Sequence, residues 1–511
     1  MSTHEDDTKM IWHKASIALC GLALVVSACN NDNLTKVNRN PNAPEQVSAS
    51  LLFPTAAISS IRRTRADIEI TPSAFVHWPQ YAAEYQYPEI SYYQFRPTTA
   101  DGWFNAFYTG PLEDLQQALR QTIAASHPNQ TGPVLVVRAY VFSTLTGFWG
   151  DIPFSQAGQG DKGIIAPVYD KQQVVYDSLL KNLADANTMM GTGAGLTFDK
   201  QDPVYAGDVV KWKKFANSLR ARLGMNLSKI DATRAKNEVA AAFAAGGFAS
   251  NADNAQISWP GDGTNNNPWW DTEKDGQGTR DDTRMSSTFI DTLKSLNDPR
   301  LQVFARPVQD ETCISAGATV PQCTPVAAGG YRGQPNGLEA GDAGLWGPKA
   351  SRIGLQVIDK KQPSYFMTYA EYSFIKAEAA ERGWIAGSAA QFYTDGITAS
   401  MQQWGVSAAN NTAYLAQPRI TYTPGAAGLA QIGLQKWIAL FTQGFEAWSE
   451  WRRTGFPNLT PVPNARTADK QIPRRIIYPQ TEQSFNNANL QAAIASQGGS
   501  DALNKRLWID P

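Results

Sequence analysis

Histidine is almost missing from this chain: 511 residues contain four, and His4 and His13 sit at the extreme N-terminus. His77 and His127 are left for the body of the protein. That excludes a histidine-rich metal centre, and the lack of an H-E-x-x-H motif excludes the zinc hydrolases that use one. A Ser-His-Asp arrangement would need one of these two histidines, and no G-x-S-x-G elbow accompanies them. His127 stands in the turn-like "SHPN" and His77 beside Trp78, contexts that favour surface or packing roles. Walker-type phosphate loops and paired C-x-x-C motifs are absent as well. Charge is equally thin, at 18% of residues, with 45 basic against 46 acidic side chains, a net charge of −1. No long block of either sign occurs. The longest basic runs, Arg62-Arg63-Thr64-Arg65 and Arg474-Arg475, have no interleaved aromatics, so nucleic-acid binding is disfavoured.

Cysteine is scarce too, with four in the chain, and its placement is informative. Cys20 lies inside "ASIALCGLALVVSA" (15–28), an apolar run too short to span a bilayer comfortably but suited to the hydrophobic region of a signal peptide. His13 and Lys14 precede it. The acidic Glu5-Asp6-Asp7 is wrong for the start of such a peptide and points to translation from Met10. The run ends in Val26-Ser27-Ala28-Cys29, which resembles the lipobox of bacterial lipoproteins, with an ordinary cleaved signal as the alternative. The expectation is a signal peptide over 1–28, a lipidated Cys29 and a polar tether in Asn30-Asn31-Asp32-Asn33. Loss of the signal leaves 43 acidic and 43 basic residues, a formally neutral mature protein. One acyl chain holds a protein marginally, whereas a lipoprotein's several chains hold it firmly. No other segment is apolar enough to span. Cys313 and Cys323 remain, in the Gly-, Ala- and Pro-rich "CISAGATVPQC"; they can close a small disulfide loop, or stay as two free thiols.

What the chain has in quantity is aromatic side chains, 11% of residues with 15 Trp, and helical periodicity. Residues 111–126 begin with Pro111 at a first helical turn. Residues 133–148 are apolar nearly all round, as in a buried helix. Helices are expected at 171–190, 210–228 and 232–245, the last stopped by Gly246-Gly247. Further helices fall at 285–297, 367–384 and 387–405, with Ser388 as cap, and one long helix covers 431–453. Ala389-x3-Tyr393 loosely fits the small-then-aromatic pattern of tetratricopeptide hairpins, without a strict repeat. Between 247 and 365 the texture turns to Gly, Asn, Asp, Pro and Gln, and 77–104 is similarly irregular. Long loops on a helical frame commonly carry binding. The fold class is therefore mainly α, a helix-pair scaffold at about 105–246 and 366–455 with a loop-rich region at about 247–365.

Within that region stands "NNNPWWDTEKDG" (265–276). Neither a helix nor a strand can bury two adjacent rings on one face. Asp271-x-Glu273-x-Asp275-Gly276, with Asp282 beyond, has the oxygen-ligand spacing of a calcium loop. It departs from the EF-hand in its Glu at the third position, in Gly278 and in its terminal Asp, and a solvated acidic loop is the plainer reading. A structural calcium is the one metal the residues propose; no other cofactor is implied. Glu446 and Glu450, one turn apart in "QGFEAWSEWRR", are the nearest approach to a glycosidase pair, but beside Arg452 and Arg453 they read as ion-paired.

Several phrases together resemble the SusD/RagB family of surface glycan-binding lipoproteins. They are "LTKVNRNPNAPEQV" (34–47), "RAYVFSTLTGFWGDIPFSQA" (138–157), "WKKFANSLRARLGMNLS" (212–228), "LNDPRL" (296–301), "YAEYSFIKAEAAERGW" (369–384), "QKWIALFTQGFEAWSEWRRTGFP" (435–457) and "PRRIIYPQTEQSFN" (473–486). They span nearly the whole mature chain. The resemblance implies four tetratricopeptide-like helix pairs in a single domain over 29–511, and a loop-rich face that captures oligosaccharides or, in some members, peptides. It also implies a location on the outer membrane, exposed to the surroundings, as partner of a SusC-like TonB-dependent transporter, and no catalytic residues. A surface glycan-active enzyme is the alternative of a different class. The family's ligand residues vary, so candidates come from chemistry: sugar C–H faces stack on aromatic rings while hydroxyls seek amides, carboxylates and arginines. Trp269 and Trp270 fit best, with Asn265, Asn266, Asn267 and Asp271 alongside. Tyr331, Arg332 and Trp346 lie in the later loops, and Tyr85, Tyr87, Tyr92 and Tyr93 in the earlier one.

Overall fold

Proline and capping residues set the helix starts much as their chemistry requires. In the computed structural model, which describes residues 47–65, 76–191, 195–314 and 323–511, fourteen helices matter here. They are α1 (Ala49–Arg65), α2 (Pro97–Tyr108), α3 (Pro111–Ala124), α4 (Pro128–Trp149), α5 (Gln172–Met189), α6 (Val209–Asn226), α7 (Ala232–Ala244), α8 (Pro268–Thr272), α9 (Ser287–Ser295), α10 (Tyr369–Glu381), α11 (Ala389–Gln403), α12 (Ala408–Leu415), α13 (Ala426–Ala439) and α14 (Gly444–Thr454). The expected lipidation site, Cys29, and the signal segment fall outside the described residues. Pro97, Pro111 and Pro128 each open a helix where a missing N–H costs nothing. Asp208, Thr368 and Ser388 cap α6, α10 and α11 through their side-chain oxygens.

The helices stack as neighbouring pairs: α3 on α4, α4 on α5, α5 on α6, α6 on α7, and later α10 on α11, with α13 against α10 and α14. Helix α4 is buried on nearly every side, as its unbroken apolar sequence demands. Helix α1 packs along α3; with Pro54 inside it, it is not announced by the sequence pattern. Strand is confined, among the described residues, to two-stranded antiparallel ribbons: β1 (Ala82–Glu84) with β5 (Thr283–Met285), β2 (Ile152–Pro153) with β3 (Tyr169–Asp170), and β4 (Ala255–Ile257) with β6 (Ser364–Met367).

The expected single helix over 431–453 is two. The chain leaves α13 at Leu440, passes through Thr442 at φ 74° and restarts at Gly444. Trp437, Phe441, Phe445 and Trp448 keep helical spacing across the break, which is why periodicity reads straight through it. The break turns Phe441 into a cluster with Tyr81, Phe289 and Phe304. Trp437 joins them, donating from Nε1 to the Pro79 carbonyl at 2.9 Å and accepting the Tyr81 hydroxyl on its own carbonyl at 2.5 Å. These contacts fasten the 79–87 segment to the scaffold.

Several ion pairs of the scaffold are buried between helices. Arg222 on α6 grips Glu371 on α10 through two 2.6 Å bonds and approaches Glu446 at 3.6 Å. Arg453 on α14 holds Glu378 at 2.7 and 2.5 Å, and Lys436 on α13 pairs with Glu450 at 2.9 Å. Glu446 and Glu450 are thereby tied to cations inside the helical stack.

Candidate functional site

The β1–β5 ribbon leads into a face where one aromatic residue, Tyr87, reaches solvent. Its register sets Ala83 opposite Arg284 and Glu84 opposite Thr283, and the Tyr85 N–H continues the ladder to the Asp282 carbonyl at 2.9 Å. Beyond it Tyr87 takes a left-handed conformation at φ 54° and opens a 3-10 turn, Pro88–Tyr92, closed by Tyr93 at φ 68°. Non-glycine residues adopt that region at a cost, and persist there only when surrounding structure holds them. The Tyr93 N–H bonds the Ile90 carbonyl and the Gln94 N–H that of Glu89, so the turn is held. Tyr87 is 70% exposed. A large ring fixed on a constrained backbone and left in water is the signature of a contact surface.

Tyr85 supports it from below. The Arg284 guanidinium lies 4.4 Å from the Tyr85 ring centroid and donates to the carbonyls of Gly347 at 2.5 Å, Asp281 at 2.9 Å and Thr283 at 2.8 Å. The ring rests flat on Gly347, where an added Cβ would stand 3.0 Å from it. The short helix Ala340–Gly344 packs on the Pro88–Tyr92 turn, and Leu345 follows it, 45% exposed. Tyr87, Tyr85 and Leu345 thus belong to one face, with the buried Arg284 holding Tyr85 from within, assembled from segments some 200 positions apart.

Other candidates turn inward. Trp346 is 3% exposed and forms a small core with Ile314, Leu338, Ala343 and Ala350, against which Cys323 packs. Cys313 and Cys323 are disulfide-bonded. Arg332 pins the base of that lobe, donating to the carbonyls of Glu311, Thr312 and Lys349 at 3.0 Å each. Tyr92 is buried beneath Arg466, whose guanidinium lies 5.5 Å from the ring centroid, and Tyr93 is buried with its hydroxyl accepting from the Val462 N–H at 3.2 Å. Tyr331 is half-buried beside α9, where its carbonyl accepts from Lys294 Nζ at 3.3 Å.

The two adjacent tryptophans diverge as the geometry of a helical turn requires. They sit on α8, capped by Asn267, whose Oδ1 accepts the Trp269 N–H at 2.8 Å and whose Nδ2 donates to the Gln362 carbonyl at 2.6 Å. Trp269 is 4% exposed, set against Val357, Tyr365 and Thr442. Trp270 is half-exposed. Trp269 is thus a packing residue where a ligand platform was expected: the cap docks its turn onto 360–365. Asn266 and Asn267 are buried with it, and Asn265 alone is exposed.

The acidic run after them is spent on arginines, not on a shared ion. Asp271 faces Arg62 at 3.7 Å and accepts from Asn266 Nδ2 at 2.8 Å. Asp275 pairs with Arg306 at 2.6 Å and Arg352 at 2.7 Å, and Asp282 with Arg280, Nε to Oδ1 at 3.0 Å. Glu273 is buried, and that burial, with the nearby Asp282 carboxylate, pushes its carboxyl up to about 8. Glu84 is likewise pushed well above the carboxylate range by burial and then by Asp282. The loop folds back because Gly278 stands where an added Cβ would meet the Thr272 carbonyl at 1.9 Å. Among the described residues no group of three or more His, Cys, Asp and Glu side chains is placed to hold a metal. The calcium expectation is corrected accordingly: the ligand spacing is present, but each carboxylate has a different neighbour.

Sequence reasoning missed Arg284 and Leu345, and no local signal marks them. Arg284 comes to support the face from within through pairing between β1 and β5, and Leu345 reaches it through a short helix packed on a distant turn. Comparison with known proteins bears on what such a face is for. A family model described as SusD-like, starch-binding associating with outer membrane, matches residues 41–479. No curated protein matches. Among solved structures, a chitin-binding protein is 28% identical with a TM-score of 0.78, over 91% of this chain and 99% of that one. A SusD homolog from Bacteroides fragilis is 25% identical with a TM-score of 0.75, over 91% and 99%. A chitin-binding SusD homolog from Flavobacterium johnsoniae is 24% identical with a TM-score of 0.76, over 90% and 98%.

Proposed function

This chain belongs to the SusD-like family, and from that premise we propose that it captures oligosaccharides at the cell surface and passes them to a SusC-like TonB-dependent transporter. In this reading residues 1–28 are a signal peptide, Cys29 carries the lipid anchor, and 29–511 is one domain facing the surroundings. The observation that carries it is Tyr87, a ring 70% exposed on a constrained turn, with the Tyr85–Arg284 stack beside it. An exposed aromatic ring held on a fixed backbone offers a stacking surface for the apolar face of a pyranose ring. The family description names starch, and one similar structure is of a chitin-binding protein, so α-glucans and N-acetylglucosamine polymers are the first ligands to try.

A binding role also fits what the scaffold does with its carboxylates. Glu446 and Glu450 sit among Arg222, Lys436 and Arg453, so neither is poised as a general acid at a sugar site. No described helix is long and apolar enough to cross a membrane, and attachment in this reading falls to Cys29. The test is affinity electrophoresis of the purified full chain in gels containing starch or glycol chitin. Retardation without shortening of the polysaccharide is expected, with Tyr87→Ala migrating faster than the parent. Release of reducing ends by the pure protein would overturn a binding-only role, and unchanged retardation of Tyr87→Ala would remove the face from it.

A further inference from the structure

A cleft lined by other residues opens between α9, the short helix Leu301–Phe304 and α12. It holds about 710 Å³ of space, within the roughly 300–1,000 Å³ of ordinary ligand sites. Asn297, Gln302, Asn410 and Gln417 bring side-chain amides to its walls, and Tyr331 brings a half-buried ring. None of these lies on the Tyr85–Tyr87 face.

Asn297, Gln302 and Asn410 are exposed and Gln417 is half-exposed. Among the described residues the side chains of these four amides make no hydrogen bond to the chain, and the Tyr331 ring packs against no other aromatic. The neighbouring charges are committed. Asp298 is buried and held by Arg300 through bonds of 2.9 and 2.6 Å, and Lys294 Nζ is turned to the Tyr331 carbonyl. The walls are rigid: Asn297 is fixed at φ 48° where α9 ends, its N–H on the Lys294 carbonyl at 3.0 Å. Ser407 caps α12 at the Asn410 N–H, 3.2 Å away. The floor is Tyr414, buried, its hydroxyl accepting from Gln435 Nε2 at 2.8 Å.

Each free amide offers two donors and an acceptor with two lone pairs. A wall of amides without a free carboxylate suits a neutral ligand rich in hydroxyls, and the adjoining ring suits the apolar face of a sugar. Pre-set walls lower the ordering cost of binding. We propose that this cleft is a second subsite for a neutral oligosaccharide, separate from the Tyr87 face. The ligand class rests on the glycan-binding reading, whereas the place rests on the cleft's own free amides.

The test is calorimetric titration of the full chain, in detergent, with maltohexaose and with chitohexaose. Variants are Tyr87→Ala on the face and the triple Tyr331→Ala, Asn410→Ala, Gln417→Ala in the cleft. Asn410→Ala alone, at an exposed position, serves if the triple variant melts early. For at least one of the two sugars, the parent should bind two molecules per chain. The triple variant should keep one, or weaken one of two steps by about tenfold, the equivalent of one good hydrogen bond; Asn410→Ala should weaken the same step by about threefold. Tyr87→Ala should spare that step. Cleft variants that match the parent in affinity and stoichiometry would overturn the subsite while leaving the Tyr87 face intact. A parent that binds neither sugar would overturn the subsite and the glycan-binding reading together.

Discussion

Replacing Glu273 by Gln separates a packed ion-pair turn from a metal loop. Glu273 is 4% exposed, and its carboxyl is raised from the ordinary 4.5 to about 8, by burial first, then by Asp282, with Arg352 and Arg284 opposing. The native protein therefore holds a proton at neutral pH that the unfolded chain releases. The stability this provides is complete below pH 4.5 and is lost as pH rises through 8. At about 1.4 kcal/mol per pH unit, the ceiling is about 5 kcal/mol, and relaxation around the site reduces the expected effect to about 2 kcal/mol. Gln keeps the shape and stays neutral at every pH. Urea unfolding at pH 5, 7 and 9 should show the parent losing stability relative to Glu273→Gln as pH rises, with most of the gap open by pH 7. Parallel pH dependence of the two proteins would refute the burial argument. A rise in parent melting temperature with calcium, absent in the variant, would restore the metal loop.

The two aromatic positions should behave oppositely. Trp269→Ala is expected to cost about 3–5 kcal/mol of stability by leaving a cavity, whereas Tyr87→Ala should change stability by less than about 0.5 kcal/mol and weaken polysaccharide binding about tenfold, read by melting and affinity electrophoresis. Glu371→Gln strips Arg222 of its bidentate partner deep in the scaffold and should cost about 3–5 kcal/mol in chemical denaturation. Cys29→Ala should move the protein from the membrane to the soluble fraction on cell fractionation; retention on the membrane would count against the anchor.

Much of the helical frame is legible in the chain because its determinants are local. Pro111 opens a helix through its own missing N–H, Ser388 caps one within three residues, and α4 declares its burial by being apolar on every face. The break at Thr442 escapes detection because the aromatic spacing continues across it, and the reason for it, the cluster around Tyr81 and Phe289, comes from elsewhere in the chain.

The site is legible only in composition. Aromatic residues in polar loops are visible in the chain, Tyr85 and Tyr87 among them, but burial sorts them in three dimensions. Trp269, Tyr92 and Trp346 go inside, while Tyr87 and Leu345 stay out. Likewise the spacing Asp271-x-Glu273-x-Asp275 is a property of the chain, whereas the partner of each carboxylate is decided by Arg62, Arg306 and Arg352 arriving from other segments. Helix type and helix ends follow from forces acting within a few residues, and the amino-acid order alone determined them. Which ring meets water, and which carboxylate meets a cation, depends on packing between segments far apart in sequence, and the tertiary structure alone decided that.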